Sequence, residues 1–184
     1  MSLLYAENKS AKTKKHSAKD LNWKWLFIPA AALLAAVLLN SFCIVCAIVP
    51  SASMEDTVKA GSLVVASRLS YYKKSPARGD VILFCHEELG TSFIMKRIVG
   101  LPGETVEIYS GQVYIDGTSL SESYVKGKTS DFGPVVVPED HYFVLGDNRE
   151  HSYDARFWED PFVSIDEIRA RAAIVLFPSP KEIG

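Results

Sequence analysis

The chain is constrained first by a stretch without charge. From Trp25 to Val49 no side chain is ionised, and a helix of that length, rising ~1.5 Å per residue, reaches roughly 37 Å, more than the ~30 Å hydrocarbon core of a bilayer. The run predicts an anchor helix over residues 25–49. Lys9, Lys12, Lys14, Lys15, Lys19 and Lys24 precede it against only Glu7 and Asp20, a bias that keeps a short N-terminal segment in the cytoplasm. Residues 1–24 therefore read as a basic cytoplasmic tail, and residues 50–184 as an extracytoplasmic domain. Trp23 and Trp25 suit the headgroup level. A cleaved leader would carry an apolar region of roughly 7 to 15 residues, far shorter than this one.

Removing the tail changes the charge of what remains. The net charge of the whole chain is −2, so a domain that lacks the six tail lysines is distinctly acidic, and an extended nucleic-acid-binding surface is excluded. Cys43 and Cys46 fall inside the apolar run and leave Cys85 alone in the domain, so no disulfide framework is available. Beyond Pro50 the pattern turns to short apolar runs broken by turn residues, the signature of a mainly β domain. Strands are predicted at Leu63 to Ser67, Asp80 to Cys85, Phe93 to Val99, Thr105 to Tyr109, Gln112 to Ile115, Tyr142 to Leu145 and Ala172 to Phe177. Ser110-Gly111 is a tight hairpin signal, Ser164 to Glu167 has capping-box spacing, and residues 70–79 and 117–134 read as polar loops.

The apolar run stops at Val49-Pro50-Ser51-Ala52-Ser53-Met54, which sets Ser53 at the lipid boundary. A hydrolytic serine needs a base. His86, His141 and His151 lack a nucleophile elbow or triad signature and read as surface or loop residues, while His16 is on the tail. Lys96 is the other option, in Phe93-Ile94-Met95-Lys96-Arg97-Ile98-Val99. In a strand it shares a face with Ile94 and Ile98. Two readings are open: an ammonium group that snorkels off a half-exposed strand, or a buried amine whose pKa burial lowers from ~10.4 toward 7 or 8, where it can act as a base.

At this point the motifs resemble those of the bacterial type I signal peptidases, membrane-anchored Ser/Lys proteases. Pro50-Ser51-Ala52-Ser53-Met54 resembles their serine box and Lys96-Arg97-Ile98-Val99-Gly100-Leu101-Pro102-Gly103 their lysine box. Gly146-Asp147-Asn148-Arg149 through Ser152, Asp154 and Arg156 resembles their C-terminal box, and Arg78-Gly79-Asp80-Val81 fits a strand start common among them. The resemblance implies a signal-peptidase-like β domain in which Ser53 is the nucleophile and Lys96 the general base. It also implies that the Ser51 hydroxyl and the Ser53 N–H bind the oxyanion, that Ser152 hydrogen-bonds and orients the lysine, and that Asp147, Asp154 and Arg156 support the site, with Asp147 pairing Arg97. No cofactor or metal is called for. Val49, Met54 and Met95, neighbours of the dyad in sequence, are expected to line the substrate pocket. The implied partners are the signal peptides of preproteins, the lipid bilayer and the secretion translocon. A specialised peptidase for pilus or coat precursors and a catalytically silent assembly factor are the alternatives. Asp56 stands where these proteins usually have proline, Ala155 replaces a common serine, and Glu159-Asp160-Pro161 replaces a glycine-containing segment.

Overall fold

The computed structural model describes residues 24–86, 89–90 and 92–183. By internal packing the chain divides into two units, residues 1–36 and 37–184. Helix α1 runs from Lys24 to Phe42 with Pro29 inside it. Its large apolar side chains point outward all round, Trp25, Ile28, Leu33 and Phe42 among them. The helix closes seven residues before the apolar run does, because Ile44–Ile48 leave it as strand β1. The expected helix over 25–49 is thus shorter, and among the described residues no helix is long and apolar enough to cross a membrane. The β-branched residues Ile44, Val45 and Ile48 favour a pleated surface, and a partner strand, β2 (Leu63–Ser67), accepts all five residues in antiparallel register.

Among the described residues, the second unit has ten further strands: β3 (Val81–Phe84), β4 (Ile94–Gly100), β5 (Thr105–Tyr109), β6 (Gln112–Ile115), β7 (Thr118–Ser119), β8 (Phe132–Val136), β9 (His141–Leu145), β10 (Val163–Ser164), β11 (Ile168–Phe177) and β12 (Lys181–Glu182). They make two antiparallel sheets. The larger has the order β1-β2-β11-β3-β4-β9-β10 with β12 added to β11, and the smaller has the order β7-β6-β5-β8. The strands read from alternation all form, with ends moved by a residue or a few. Residues 117–134, expected as a polar loop, contribute β7 and the start of β8. Pro134 argues against a strand by sequence, and it is accommodated because β8 lies at the edge of the smaller sheet.

Local signals explain the turns. Ser110 and Gly111 both have positive φ, 51° and 81°, as a two-residue hairpin loop between β5 and β6 requires. Ser164 and Glu167 form a complete capping box on the short 3₁₀ turn Ile165–Glu167. The core has two apolar clusters. One centres on Ile82, Phe84, Ile98, Phe143 and Leu145, and the other on Val45, Met54, Val58, Val64, Leu83 and Met95. Strand β4 contributes Ile98 to the first and Met95 to the second, so Lys96 sits between residues committed to different halves of the core.

Candidate active site

Strand β1 delivers the serines. Its end is tied down by Val49 N–H donating to the Ser62 carbonyl (2.9 Å) and Gly61 N–H donating to the Val49 carbonyl (2.8 Å). Two wholly buried apolar side chains, Met54 and Val58, then pin the turn that follows. Met54 is therefore a core residue of the second cluster and not the pocket lining expected of it. Its neighbour Ser53 is 5% exposed.

Lys96 comes from the interior of β4, paired with Ile82 of β3, and is 4% exposed. Its Nζ lies 2.7 Å from Ser53 Oγ. Burial is the largest influence on the amine and lowers its pKa from the ordinary 10.5 to about 8, against the opposing pull of Asp154 and Asp147. Of the two readings left open by sequence, the snorkelling lysine is excluded by this burial. Ser51 Oγ is 3.3 Å from Ser53 Oγ, on the exposed side of the same turn.

Around the pair stands a buried ionic frame. Arg97, next along β4, binds Asp147 with two bonds, Nε to Oδ1 at 2.9 Å and Nη2 to Oδ2 at 2.7 Å. Thr57 donates to the same carboxylate, Arg97 also donates to the Gly79 carbonyl at 2.7 Å, and its guanidinium lies 4.0 Å over the Tyr124 ring. Asp154 accepts from Arg156 Nε at 2.8 Å and Nη2 at 3.0 Å, and from the Gly146 N–H at 3.0 Å. All four charges are nearly or wholly buried. Buried ions kept in pairs with their remaining hydrogen-bonding positions filled are the arrangement that burial tolerates.

Ser152 differs from expectation. It is buried, but its Oγ has no hydrogen-bond partner; the hydroxyl is packed against Gly146, and Lys96 Nζ bonds Ser53 instead. The histidines also differ in part. His86 is buried, with its ring centroid 4.6 Å from that of Trp158 and the two planes tilted by 47°. His151 is exposed.

Several members of the frame had no individual signal in the sequence. Arg149 forms a buried pair with Glu122 (2.6 Å) and holds the Gly146 carbonyl through Nε at 3.0 Å. Lys126 joins the loop to the C-terminal box by accepting from Arg149 N–H (2.8 Å) and donating to the Asp147 carbonyl (2.8 Å). Asn148 contacts the serine turn directly: its N–H donates to the Ser53 carbonyl at 3.0 Å and its Nδ2 to the Ala52 carbonyl at 3.1 Å. Arg149 and Asn148 fall within the C-terminal box, but Glu122 and Lys126 lie in a stretch, 117–134, whose polarity resembles that of any solvated loop.

Beside the dyad runs a cleft of about 260 Å³ whose lining is mainly apolar, drawn from Ala47 to Ser51 on one side and Phe93 to Lys96 on the other, with Leu83 at its floor. Val49 and Met95 are among the residues that line it.

An amine in place of an imidazole as the serine's partner is the arrangement of a Ser/Lys hydrolase. Residues 22–177 match the model of the family described as signal peptidase, peptidase S26, and the chain belongs to that family. It is 34% identical to a probable signal peptidase I-2 of Synechocystis over 91% of this chain and 79% of that protein. It is 39% identical to a signal peptidase I of Leptolyngbya laminosa over 71% of this chain and 67% of that protein. The signal peptidase I of Bacillus amyloliquefaciens is 36% identical, with 94% and 95% covered. A solved signal peptidase I from Enterococcus faecalis has a TM-score of 0.47 at 38% identity, covering 53% of this chain and 97% of that one. The chain is a serine peptidase that removes signal peptides.

Proposed function

We propose that Ser53 attacks the scissile carbonyl of a preprotein and that neutral Lys96 takes its proton. The observation that carries this assignment is the 2.7 Å approach of Lys96 Nζ to Ser53 Oγ between buried residues. As Ser53 Oγ bonds to the carbonyl carbon, the hydroxyl proton passes to the amine lone pair and the carbonyl electrons move to oxygen. The Ser51 hydroxyl and the Ser53 N–H stabilise that oxyanion. Collapse breaks the peptide bond, and the lysine ammonium gives its proton to the departing amine, which leaves as the N-terminus of the mature protein. Lys96, neutral again, activates a water that cleaves the acyl ester and restores the Ser53 hydroxyl. Asp147, Asp154 and Arg156 hold the geometry without exchanging protons. The peptide lies extended in the cleft along Val49 and Met95, whose apolar surroundings suit small residues before the cut.

The reading includes a membrane anchor formed by the apolar helix Lys24–Phe42, with its tail in the cytoplasm, and so a catalytic domain outside, at the bilayer and in reach of the translocon. Its support is a helix that is apolar all round and the lysines before it. Incubating the full-length chain in detergent with a preprotein, and sequencing the new N-terminus, tests the assignment. Cleavage at one signal-peptide junction is expected, abolished by Ser53→Ala and by Lys96→Ala; full activity in Lys96→Ala overturns the base. Resistance of the chain to extraction from membranes by alkaline carbonate tests the anchor.

A further inference from the structure

We infer that Asn148 is a positioning residue that aims the oxyanion-binding N–H of Ser53, an inference that rests on Ser53 being the nucleophile. The Ala52 carbonyl and the Ser53 N–H belong to one peptide group, which is planar and trans, so the two point in opposite directions. Asn148 Nδ2 holds that carbonyl at 3.1 Å, and a donor fixed on one side of the plane fixes the direction of the N–H on the other. The Asn148 N–H holds the next carbonyl, that of Ser53 itself, at 3.0 Å. One residue thus grips both peptide planes that flank the Ser53 Cα, and with them both of its backbone dihedrals. A hydrogen bond to an amide carbonyl also polarises the group and strengthens its N–H as a donor.

The grip is itself fixed. Asn148 is 5% exposed. The Ala52 oxygen can only accept, which assigns nitrogen to that side of the amide. The amide oxygen faces His151 Nδ1 at 3.3 Å, where a ring N–H completes the chain of donors. On either side, the main chain of Asp147 and Arg149 is bonded to Lys126, so the side chain projects from a backbone that is held before substrate arrives. Preorganised donors of this kind contribute most where charge develops in the transition state, and removing one costs about 10² to 10³ in rate. Mis-aiming one costs less.

The test uses Asn148→Ala and Asn148→Asp in the full-length chain. The substrate is a peptide spanning a signal-peptide junction, with alanine at the first and third positions before the cut. The inhibitor is a peptidyl boronic acid of the same sequence, whose tetrahedral adduct on Ser53 places an oxygen where the oxyanion forms. Asn148→Asp is nearly isosteric but turns an acceptor toward the Ala52 carbonyl. The expected result is a fall in kcat of about 10- to 100-fold in both variants, with KM within twofold of the parent. Boronate affinity should fall in parallel with kcat/KM, and the ascending limb of the pH profile should not move. A folded variant with kcat within twofold of the parent overturns the inference. So does a rise in KM with kcat kept, and so does loss of the fold in both variants, which would make Asn148 a structural brace. If Ser53→Ala remains active the nucleophile assignment falls first; if Ser53→Ala is dead while the Asn148 variants keep their kcat, only this inference is lost.

Discussion

Gly146 and Ser152 pack so closely that a methyl group on Gly146 would collide with Ser152 Oγ and lie 2.6 Å from the carbonyl oxygen of Ser53. The first neighbour is a short side chain and the second is main chain, so neither can swing aside. Overpacking of this kind typically costs about 1–3 kcal/mol, and it displaces the nucleophile's own backbone. Gly146→Ala is expected to lower the melting temperature and to reduce kcat by about 100-fold, the effect of a misplacement near 1 Å. Thermal unfolding and steady-state kinetics check this, and an unchanged kcat would contradict the contact.

Arg97 and Asp147 form one of the two buried ion pairs beside the dyad. Their side chains are 3% and 0% exposed, so removing one leaves the other as an uncompensated buried charge. Asp147→Leu should lose about 3–5 kcal/mol of unfolding free energy, and Arg97→Met about as much. The double variant Arg97→Met/Asp147→Leu should lose less than the sum of the two, because no ion is then stranded. Urea denaturation of the three proteins decides it; additive losses would mean that the pair is not coupled.

How much of this was legible beforehand depended on whether a residue's role was local. Lys96 could be singled out because a lysine flanked by Ile94 and Ile98 breaks the face it occupies, whatever the rest of the chain does. The hairpin at Ser110-Gly111 and the capping box at Ser164 were legible for the same reason, each being a pattern completed within four residues. Strand β1 was hidden because a continuous apolar run has no internal period, and only its pairing with β2 separates Ile44–Ile48 from the helix. Met54 was misplaced because adjacency to Ser53 in sequence says nothing about which way a side chain turns after a tight bend. Glu122 and Tyr124 were out of reach altogether, since their partners Arg149 and Arg97 are fixed by tertiary approach.

Keeping Lys96 unpaired by a carboxylate has a cost in stability, and its sign follows from the two pKa values. The folded value, about 8, is below the ordinary 10.5, so between those values the unfolded chain binds more protons and stability rises with pH. Below about pH 8 the full penalty applies, and at ~1.36 kcal/mol per pH unit it amounts to about 3 kcal/mol. Lys96→Met, similar in size and uncharged, is expected to be inactive and more stable than the parent at pH 7 by an amount of that order. The advantage should shrink steadily between pH 8 and 10.5. Denaturation curves across that range measure it, and a variant that is less stable at pH 7 would contradict the burial argument.

The most direct measurement is the pH dependence of kcat/KM for peptide cleavage. A neutral Lys96 is the active form, so the rate should climb with pH through a single ionisation centred at about 8 and level off above it. A limb centred near 10.5, or the same limb surviving in a Lys96→Ala protein that still cleaves, would contradict the assignment of this amine as the base.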